Sequence, residues 1–393
     1  MKKYKVGFLI SHPVQYFSPL FKKISEDPEI ELTVYYCSDE SIKEFFDFGF
    51  SRKIKWDIPL LEGYKYKFLK NYSPLKTIFK PPFGLINFGI IKEIFKNNYD
   101  ALIIHGWNYI TCWLAFISSI LKKTKIFLHS DSNISSEILK PKHKIFIKKM
   151  IFKFLFKKIS AFLAISYENK EFYKFYGVPH KKIFSTPYCV DNDKFIKEFE
   201  RFKDFKKEIR KEIGIPEDKV LIIFSGKLIE IKNPFDLIKA YEMIENKNKA
   251  LLFIGDGILR KNLEKYIKER KIEDVYFPGF VNQNEISKYY VIGDIFVLPS
   301  SFESFGLCVN EAMCFSLPII VSNRCGCAKD LVKNGENGFI FEAGNIKELS
   351  FYLNKLIGDK DLRERMGKKS FEIIKNYNYD NVIKGIKEAL KNA

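Results

Sequence analysis

No window of this 393-residue sequence supplies the ~20 nearly uncharged apolar residues that a bilayer-spanning helix needs. The most apolar stretch, from Ala101 to Leu121, is broken by His105, Gly106, Asn108, Ser118 and Ser119, and reads as a buried strand, a loop and a helix. Mean hydropathy is -0.16, which also argues against an integral membrane protein. No secretion signal is expected either. Met1-Lys2-Lys3-Tyr4-Lys5 has the basic character of one, but the apolar run that follows, Val6 to Ile10, stops at Ser11-His12-Pro13 and is too short. The expected location is the cytoplasm. Cysteine agrees with a reducing compartment: the seven residues are scattered and odd in number, and Cys325-Gly326-Cys327 sets its thiols too close for zinc-site spacing. No short repeat, low-complexity tract or recognisable nucleic-acid-binding module is present, so the net charge of +18 does not indicate a nucleic-acid partner.

Acid is the remaining scarcity, and it is local. Residues 1–190 carry 31 Lys and Arg against 16 Asp and Glu, whereas the rest of the chain carries 35 against 32. Between Lys140 and Ser160 there are eight Lys and no acid, interleaved with Phe146, Ile147, Met150, Phe152 and Phe154. A helix with apolar and cationic faces suits an anionic membrane surface, where each nearby Lys contributes ~1 kcal/mol. Lys148, Lys149, Lys153 and Lys157 are the candidates for that contact, and the expected position is peripheral, on the inner face of the cell membrane.

What is present in quantity is apolar sequence with a regular rhythm. At 46% hydrophobic residues, the chain can bury two sizeable cores. Short β-branched and aromatic runs at 5–10, 31–37, 100–105, 125–129 and 160–165 alternate with helical spacing. The same pattern returns at 219–225, 250–254, 275–277, 295–298 and 318–321. Such alternation predicts parallel sheets covered by helices, here two doubly wound Rossmann-like α/β domains facing a cleft. The boundaries read as an N-terminal domain over 1–190, a charged helical linker over 191–218, a C-terminal domain over 219–375, and a closing helical segment over 376–393 expected to pack back on the N-terminal domain.

Open α/β sheets bind ligands beyond the carboxyl ends of their strands, so the residues that follow strands carry the functional reading. Gly226 follows one strand directly, and Lys227 and Lys232 flank the loop before the next helix. Two cations placed there can neutralise a diphosphate without a metal. Glu303 lies in the loop after another strand, Gly306 opens a helix, and Glu311 sits ~7.5 Å along that helix. The helix start favours phosphate. The two carboxylates suit sugar hydroxyls, Glu303 on a hexose and Glu311 on a ribose.

The stretch from Glu303 to Glu311 resembles the E-x7-E signature of the family 4 retaining glycosyltransferases, which have the GT-B fold. Ser225 to Asn233 is similar to that family's G-R-L loop and its following Lys. Further family motifs are resembled by LLFIGDGILRKNL at 251–263, VYFPGFVNQNEISKYYVIGDIFVLPS at 275–300, DLVKNGENGFIF at 330–341 and YCVDNDKF at 188–195. Two departures stand out. Lys227 replaces the usual Arg, keeping the charge but not the bidentate fork, and Phe315-Ser316 stands where a small residue and Gly are common. The resemblance implies a nucleoside-diphosphate sugar bound by Gly226, Phe305, Gly306, Leu307 and Glu311, with Glu303, Lys232 and Lys227 catalytic and no metal or other cofactor. It implies transfer with retention to a glycan or lipid-linked acceptor.

His129 matches a family His that reaches the donor sugar near the scissile bond, and the resemblance makes it the fourth catalytic candidate. Ser11-His12-Pro13-Val14-Gln15-Tyr16 stands where the family often has a Gly-rich loop, and resembles a subgroup from surface-polysaccharide clusters. His12, Gln15 and Tyr16, with His105 on the neighbouring strand, are the acceptor-side candidates. Asp191-Asn192-Asp193 fits the D-x-D string of metal-dependent transferases of another fold, but lies at the linker. The rival readings are a nucleotide-sugar 2-epimerase sharing the fold, and an inactive membrane-bound polysaccharide-assembly subunit, against which the intact Glu303 and Glu311 argue.

Overall fold

Seven parallel strands form the first sheet, in the order Lys65–Phe68, Ile30–Tyr36, Tyr4–Ile10, Ala101–His105, Lys125–His129, Ala161–Ala164 and Ile183–Ser185. Six parallel strands form the second: Val275–Gly279, Lys249–Ile254, Val220–Ser225, Ile295–Leu298, Ile319–Ser322 and Gly338–Phe341. This is a computed structural model, and it describes residues 3–393. Met1 and Lys2, the start of the signal-like run, lie outside the described residues. Parallel strands covered on both faces need near-continuous apolar sequence. Val220–Ser225 and Ile295–Leu298 are accordingly buried at every position.

Each sheet reverses its strand order once. In the first the reversal falls between Tyr4–Ile10 and Ala101–His105, and in the second between Val220–Ser225 and Ile295–Leu298. At such a switch point the loops leaving the two strands diverge and open a crevice at their carboxyl ends. The residues picked from sequence fall at these two places: His12 and His105 follow or end the first pair, while Gly226 and Lys227, and then Glu303, follow the second pair.

The chain divides into two units whose boundaries differ from the sequence reading in two ways. The first unit runs up to Phe45 and includes Ile58–Tyr188 and Tyr379–Ala393; the second comprises Phe46–Asp57 and Cys189–Asn378. Phe46–Asp57, assigned above to the N-terminal domain, belongs to the second unit. Its Phe50 ring meets Phe280 edge-on at 4.9 Å, and Asn282 donates to the Lys55 carbonyl at 2.6 Å. Its sequence does not announce this, because its partners lie about 180 or more residues away along the chain.

The stretch 191–218 is likewise packed rather than a free linker. Helices Asn192–Phe202 and Lys206–Ile213 are seated by polar anchors. The buried Arg210 guanidinium lies 2.6 Å from the Asp294 carboxylate and donates to the Ile292 carbonyl, and Lys206 reaches the same carboxylate at 2.7 Å. Asp191 caps the first of these helices, accepting from the Lys194 amide at 3.0 Å, which gives the D-x-D-like string a structural reason. The closing helix, Tyr379–Asn392, is part of the first unit, where Lys387 bridges Asp27 at 3.3 Å and Glu29. Three edge strands were not read from sequence: Lys65–Phe68, Ile183–Ser185 and Gly338–Phe341. Each is three or four residues long, too short for a periodic apolar signal.

Candidate functional site

At the switch point of the second sheet, three loops converge. Gly226 and Lys227 leave Val220–Ser225, and the single turn Glu230–Lys232 then places Lys232 just before helix Pro234–Glu242. The Lys232 ammonium forms an ion pair with the Glu303 carboxylate, and both side chains are largely buried. Burial holds the Lys232 ammonium below its ordinary pKa. Glu303 is fixed by its own backbone: its amide donates to the Arg324 carbonyl at 3.2 Å, and its carbonyl accepts from the Gly326 amide at 3.0 Å. That approach demands glycine, since a Cβ on Gly326 would stand 2.0 Å from the Ser304 carbonyl oxygen. Cys325-Gly326-Cys327, noticed in sequence only as a poor metal spacing, therefore clamps the Glu303 loop.

Gly306 opens helix Leu307–Cys314 with φ of 104°, in the left-handed region that glycine tolerates. The first amides of a helix, here from Leu307 onward, have no intrahelical acceptor and carry the positive end of the dipole. Phe305 is buried beneath them, its carbonyl accepting from the Cys327 amide at 2.9 Å. On the same helix Glu311 accepts a hydrogen bond from the Tyr290 hydroxyl at 2.6 Å. Burial pushes the Glu311 carboxyl up to about 7, and the Tyr290 hydrogen bond and the Lys194 charge offset this only in part. Lys227 stands apart from this pairing: its ammonium lies 2.9 Å from Asp47 and over the Phe50 ring, 5.0 Å from its centroid. Sequence reasoning missed Asp47, Tyr290 and Gly326. Only Gly326 left a trace, as a glycine between two buried cysteines.

The first sheet gathers histidines at its own switch point. His105 and His129 end adjacent parallel strands in direct register, and their Nδ1 atoms are 2.8 Å apart. One ring must donate and the other accept, so at least one is neutral. Burial keeps both below the ordinary histidine range, His129 well below it, and pushes His12 to about 4. The outer nitrogen of His105 lies 3.7 Å from Asp131, which also accepts from the Tyr188 hydroxyl. Phe17 meets the two rings edge-on, at 5.3 Å from His105 and 5.7 Å from His129. His12 is 2.9 Å from the Ser11 hydroxyl, and the Tyr16 ring is 6.1 Å from Tyr188, with burial raising its phenol pKa. Gln15 is half-buried in the same loop. The sequence reading separated His129 from His105; the structure makes them one hydrogen-bonded pair.

The lysine-rich stretch forms helix Lys142–Lys158 in the first unit. Phe152, Leu155 and Phe156 are buried on its inner side. Phe146, Ile147, Met150, Ile151 and Phe154 make a second apolar stripe facing outward, with Phe146 at 66% and Phe154 at 68% exposure. Ile138 and Leu139, shortly before the helix, are exposed as well. Lys142, Lys144, Lys149, Lys153, Lys157 and Lys158 are exposed around the stripe. Lys148, grouped above with Lys149, Lys153 and Lys157, turns inward instead. It pairs with the buried Glu137 at 2.8 Å and sits over the rings of Trp107, Phe152, Phe172 and Tyr176. Among the described residues, no helix is long and apolar enough to cross a membrane.

Residues 205–373 match the glycosyl transferases group 1 family. That segment contains both switch-point strands of the second sheet, Lys227, Lys232, Glu303 and Glu311. The sulfoquinovosyl transferase SQD2 of Arabidopsis thaliana is 33% identical over 182 residues, 46% of this chain and 34% of that protein. The N-acetyl-alpha-D-glucosaminyl L-malate synthase of Bacillus anthracis is 30% identical over 182 residues, 46% of this chain and 47% of that one. The chain thus spans about a third to a half of the length of these curated relatives. Among solved structures, Anabaena Alr3699/HepE in complex with UDP and glucose is similar with a TM-score of 0.74 at 17% identity, covering 99% of this chain and 100% of that one. A glycosyltransferase from Rickettsia africae is similar at 0.77 and 16%, covering 100% of both chains. At such identities the likeness is one of fold, and the fold is GT-B.

Proposed function

We propose that the chain is a retaining glycosyltransferase of family 4, moving a sugar from a nucleoside-diphosphate sugar to a glycan or lipid-linked acceptor in surface polysaccharide or glycoconjugate synthesis. The observation that carries this reading is the Lys232–Glu303 pair, held beside the Gly306 helix start at a sheet switch point. The costly event in such a transfer is departure of the nucleoside diphosphate. Lys232, Lys227 and the helix start supply fixed positive charge where that negative charge develops, and in a partly buried site such charge needs little reorganisation. The same groups make a metal unnecessary. Glu303 and Glu311 accept from hydroxyls, of the sugar and the ribose respectively. The match to the glycosyl transferases group 1 family over 205–373 supports the donor assignment, and the UDP seen with Alr3699/HepE is a precedent in the same fold.

The test is acceptor-dependent release. Purified protein is given a panel of nucleotide sugars, with and without extracted lipid-linked glycans, in EDTA. The proposal expects nucleoside diphosphate in step with glycoside, only when acceptor is present. Conversion of the nucleotide sugar without acceptor indicates an epimerase instead, and strict Mn²⁺ dependence contradicts the metal-free mechanism.

Glu311 gives donor binding a pH dependence whose sign is fixed. Its carboxyl titrates near 7, and the ionised form is the stronger acceptor for a ribose hydroxyl. Donor affinity is therefore expected to rise about fivefold between about pH 6 and 8, a step that Glu311→Gln removes. Tyr290→Phe takes away a donor to the carboxylate and moves the step to higher pH. Global stability runs the other way. A carboxyl raised above its unfolded value contributes stability below that value and loses it as pH rises through 7. Calorimetric titration of nucleotide across this range reads the first effect, and chemical denaturation reads the second.

In the first unit, we assign the His105–His129 pair, with His12, Gln15 and Tyr16, to the sugar and acceptor. The histidines are held neutral by burial, which suits donating or accepting a hydrogen bond rather than supplying charge. His129→Ala is expected to lower kcat about 10²-fold, the range for a positioned polar group, with nucleotide affinity unchanged. Steady-state kinetics beside nucleotide titration separates the two; equal loss in both contradicts the assignment. The exposed stripe of helix Lys142–Lys158 and its lysines are proposed to seat the protein on the inner, anionic face of the cell membrane, where a lipid-linked acceptor would be met.

A further inference from the structure

The donor lysines differ in what holds them. Lys232 is paired with Glu303, a neighbour in the same loop cluster. Lys227 is paired with Asp47, 180 residues earlier in the chain. Asp47 is aimed: one carboxylate oxygen accepts from the Gly49 and Phe50 amides at 2.8 and 3.0 Å, and the Lys227 ammonium lies 2.9 Å from that oxygen and 3.0 Å from the other. The carboxylate is largely buried, and the Phe50 ring packs beside the ammonium.

The segment carrying Asp47 is latched to carboxyl-end loops of the second sheet. Arg52 lies 3.7 Å from Asp256, in the loop after Lys249–Ile254. Beyond Val275–Gly279, Phe280 packs on Phe50, Asn282 donates to the Lys55 carbonyl, and the Asn284 amide donates to Asp57 at 3.1 Å. These are the loops where an open α/β sheet receives a ligand. A carboxylate held against an ammonium presents the same anionic oxygens as a phosphate. Two such anions at one ammonium repel each other, so they compete.

We propose that Phe46–Asp57 is a self-occupying lid of the nucleotide site, in which Asp47 takes the place of a donor phosphate on Lys227 and is displaced when the diphosphate binds. This rests on the reading of Lys227 as a diphosphate contact. The lid makes the site selective for charge: a ligand must bring enough negative charge to replace an internal carboxylate, which a nucleoside or a neutral sugar does not. It also lowers apparent affinity by the fraction of molecules in which Asp47 is engaged.

The experiment is calorimetric titration of the full chain with UDP, GDP and ADP, for wild type, Asp47→Asn, Lys227→Ala and the double variant. Asparagine keeps the side-chain oxygen that accepts from Gly49 and Phe50, so the turn persists; the melting temperature verifies this. For the nucleotide that wild type binds, Asp47→Asn is expected to bind ~3–10-fold tighter. Lys227→Ala binds more weakly, and adding Asp47→Asn to it changes nothing further. If Asp47→Asn binds no tighter than wild type while Lys227→Ala weakens binding, the lid is overturned and the donor site stands. If Lys227→Ala binds like wild type, or no nucleotide binds any variant, the donor-site reading fails at Lys227 and the lid falls with it.

Discussion

Lys232→Ala and Glu303→Ala are each expected to lower sugar transfer by at least ~10²–10³-fold, the loss typical of one preorganised group removed from a developing charge. In the proposed mechanism Lys232 acts on the departing diphosphate and Glu303 on the transferred sugar, so the two variants are expected to differ in kind. Lys232→Ala weakens nucleotide binding as well as turnover, whereas Glu303→Ala mainly lowers turnover. Both side chains are largely buried and paired. Removing one partner leaves the other uncompensated, which costs up to ~3–5 kcal/mol of stability. Glu303→Gln is the control, because it keeps the shape and a hydrogen-bonding oxygen while removing the charge. If its circular dichroism and melting temperature stay near wild type and transfer is lost, the loss belongs to the site. Wild-type turnover in Lys232→Ala would remove the assignment.

The second large effect is expected at the membrane. Changing Lys149, Lys153, Lys157 and Lys158 together to Gln should weaken binding to vesicles of mixed neutral and anionic phospholipid by ~10²-fold or more, at ~1 kcal/mol per lysine. Changing Phe146, Met150 and Phe154 to Ser should weaken it comparably and, unlike the lysine set, should also weaken residual binding at high salt. The structure alters which lysines belong in this experiment. Lys148 is locked to Glu137 beneath the helix, so its replacement reports on folding of the first unit and not on lipid. Co-sedimentation unchanged in both sets would eliminate the membrane surface.

The parallel sheets were legible because buried strands advertise themselves: Tyr4–Ile10, Lys125–His129 and Ile295–Leu298 are apolar runs bounded by polar turns. As candidates, Glu303 and Glu311 stood out because carboxylates flanking a glycine helix start suit an anion held between sugar hydroxyls, and Lys232 stood out through the family resemblance. What escaped is tertiary by nature. Asp47 sits in a short segment rich in Phe, whose two strands Phe45–Asp47 and Arg52–Ile54 pair only with each other, and only folding brings it to Lys227. The 191–218 stretch read as a linker because it is charged. Yet that charge is what seats it, through Arg210 and Lys206 on Asp294. Helix Lys142–Lys158 concealed its second apolar stripe for a different reason. With apolar residues on opposite sides and lysines between, it has no single amphipathic face. Only burial of Phe152, Leu155 and Phe156 shows that the outward phenylalanines remain uncovered.

Lys232 and Glu303 are proposed to belong to a nucleotide-sugar site. The most direct test is a thermal-shift panel of UDP-, GDP-, ADP-, CMP- and dTDP-sugars on wild type and Lys232→Ala. A ligand that binds only the folded state stabilises it by ~2.7 kcal/mol at a hundred times its Kd. One nucleotide class is expected to raise the melting temperature of wild type and leave Lys232→Ala unmoved at the same concentration. Equal shifts in both proteins, or none in either, would contradict it.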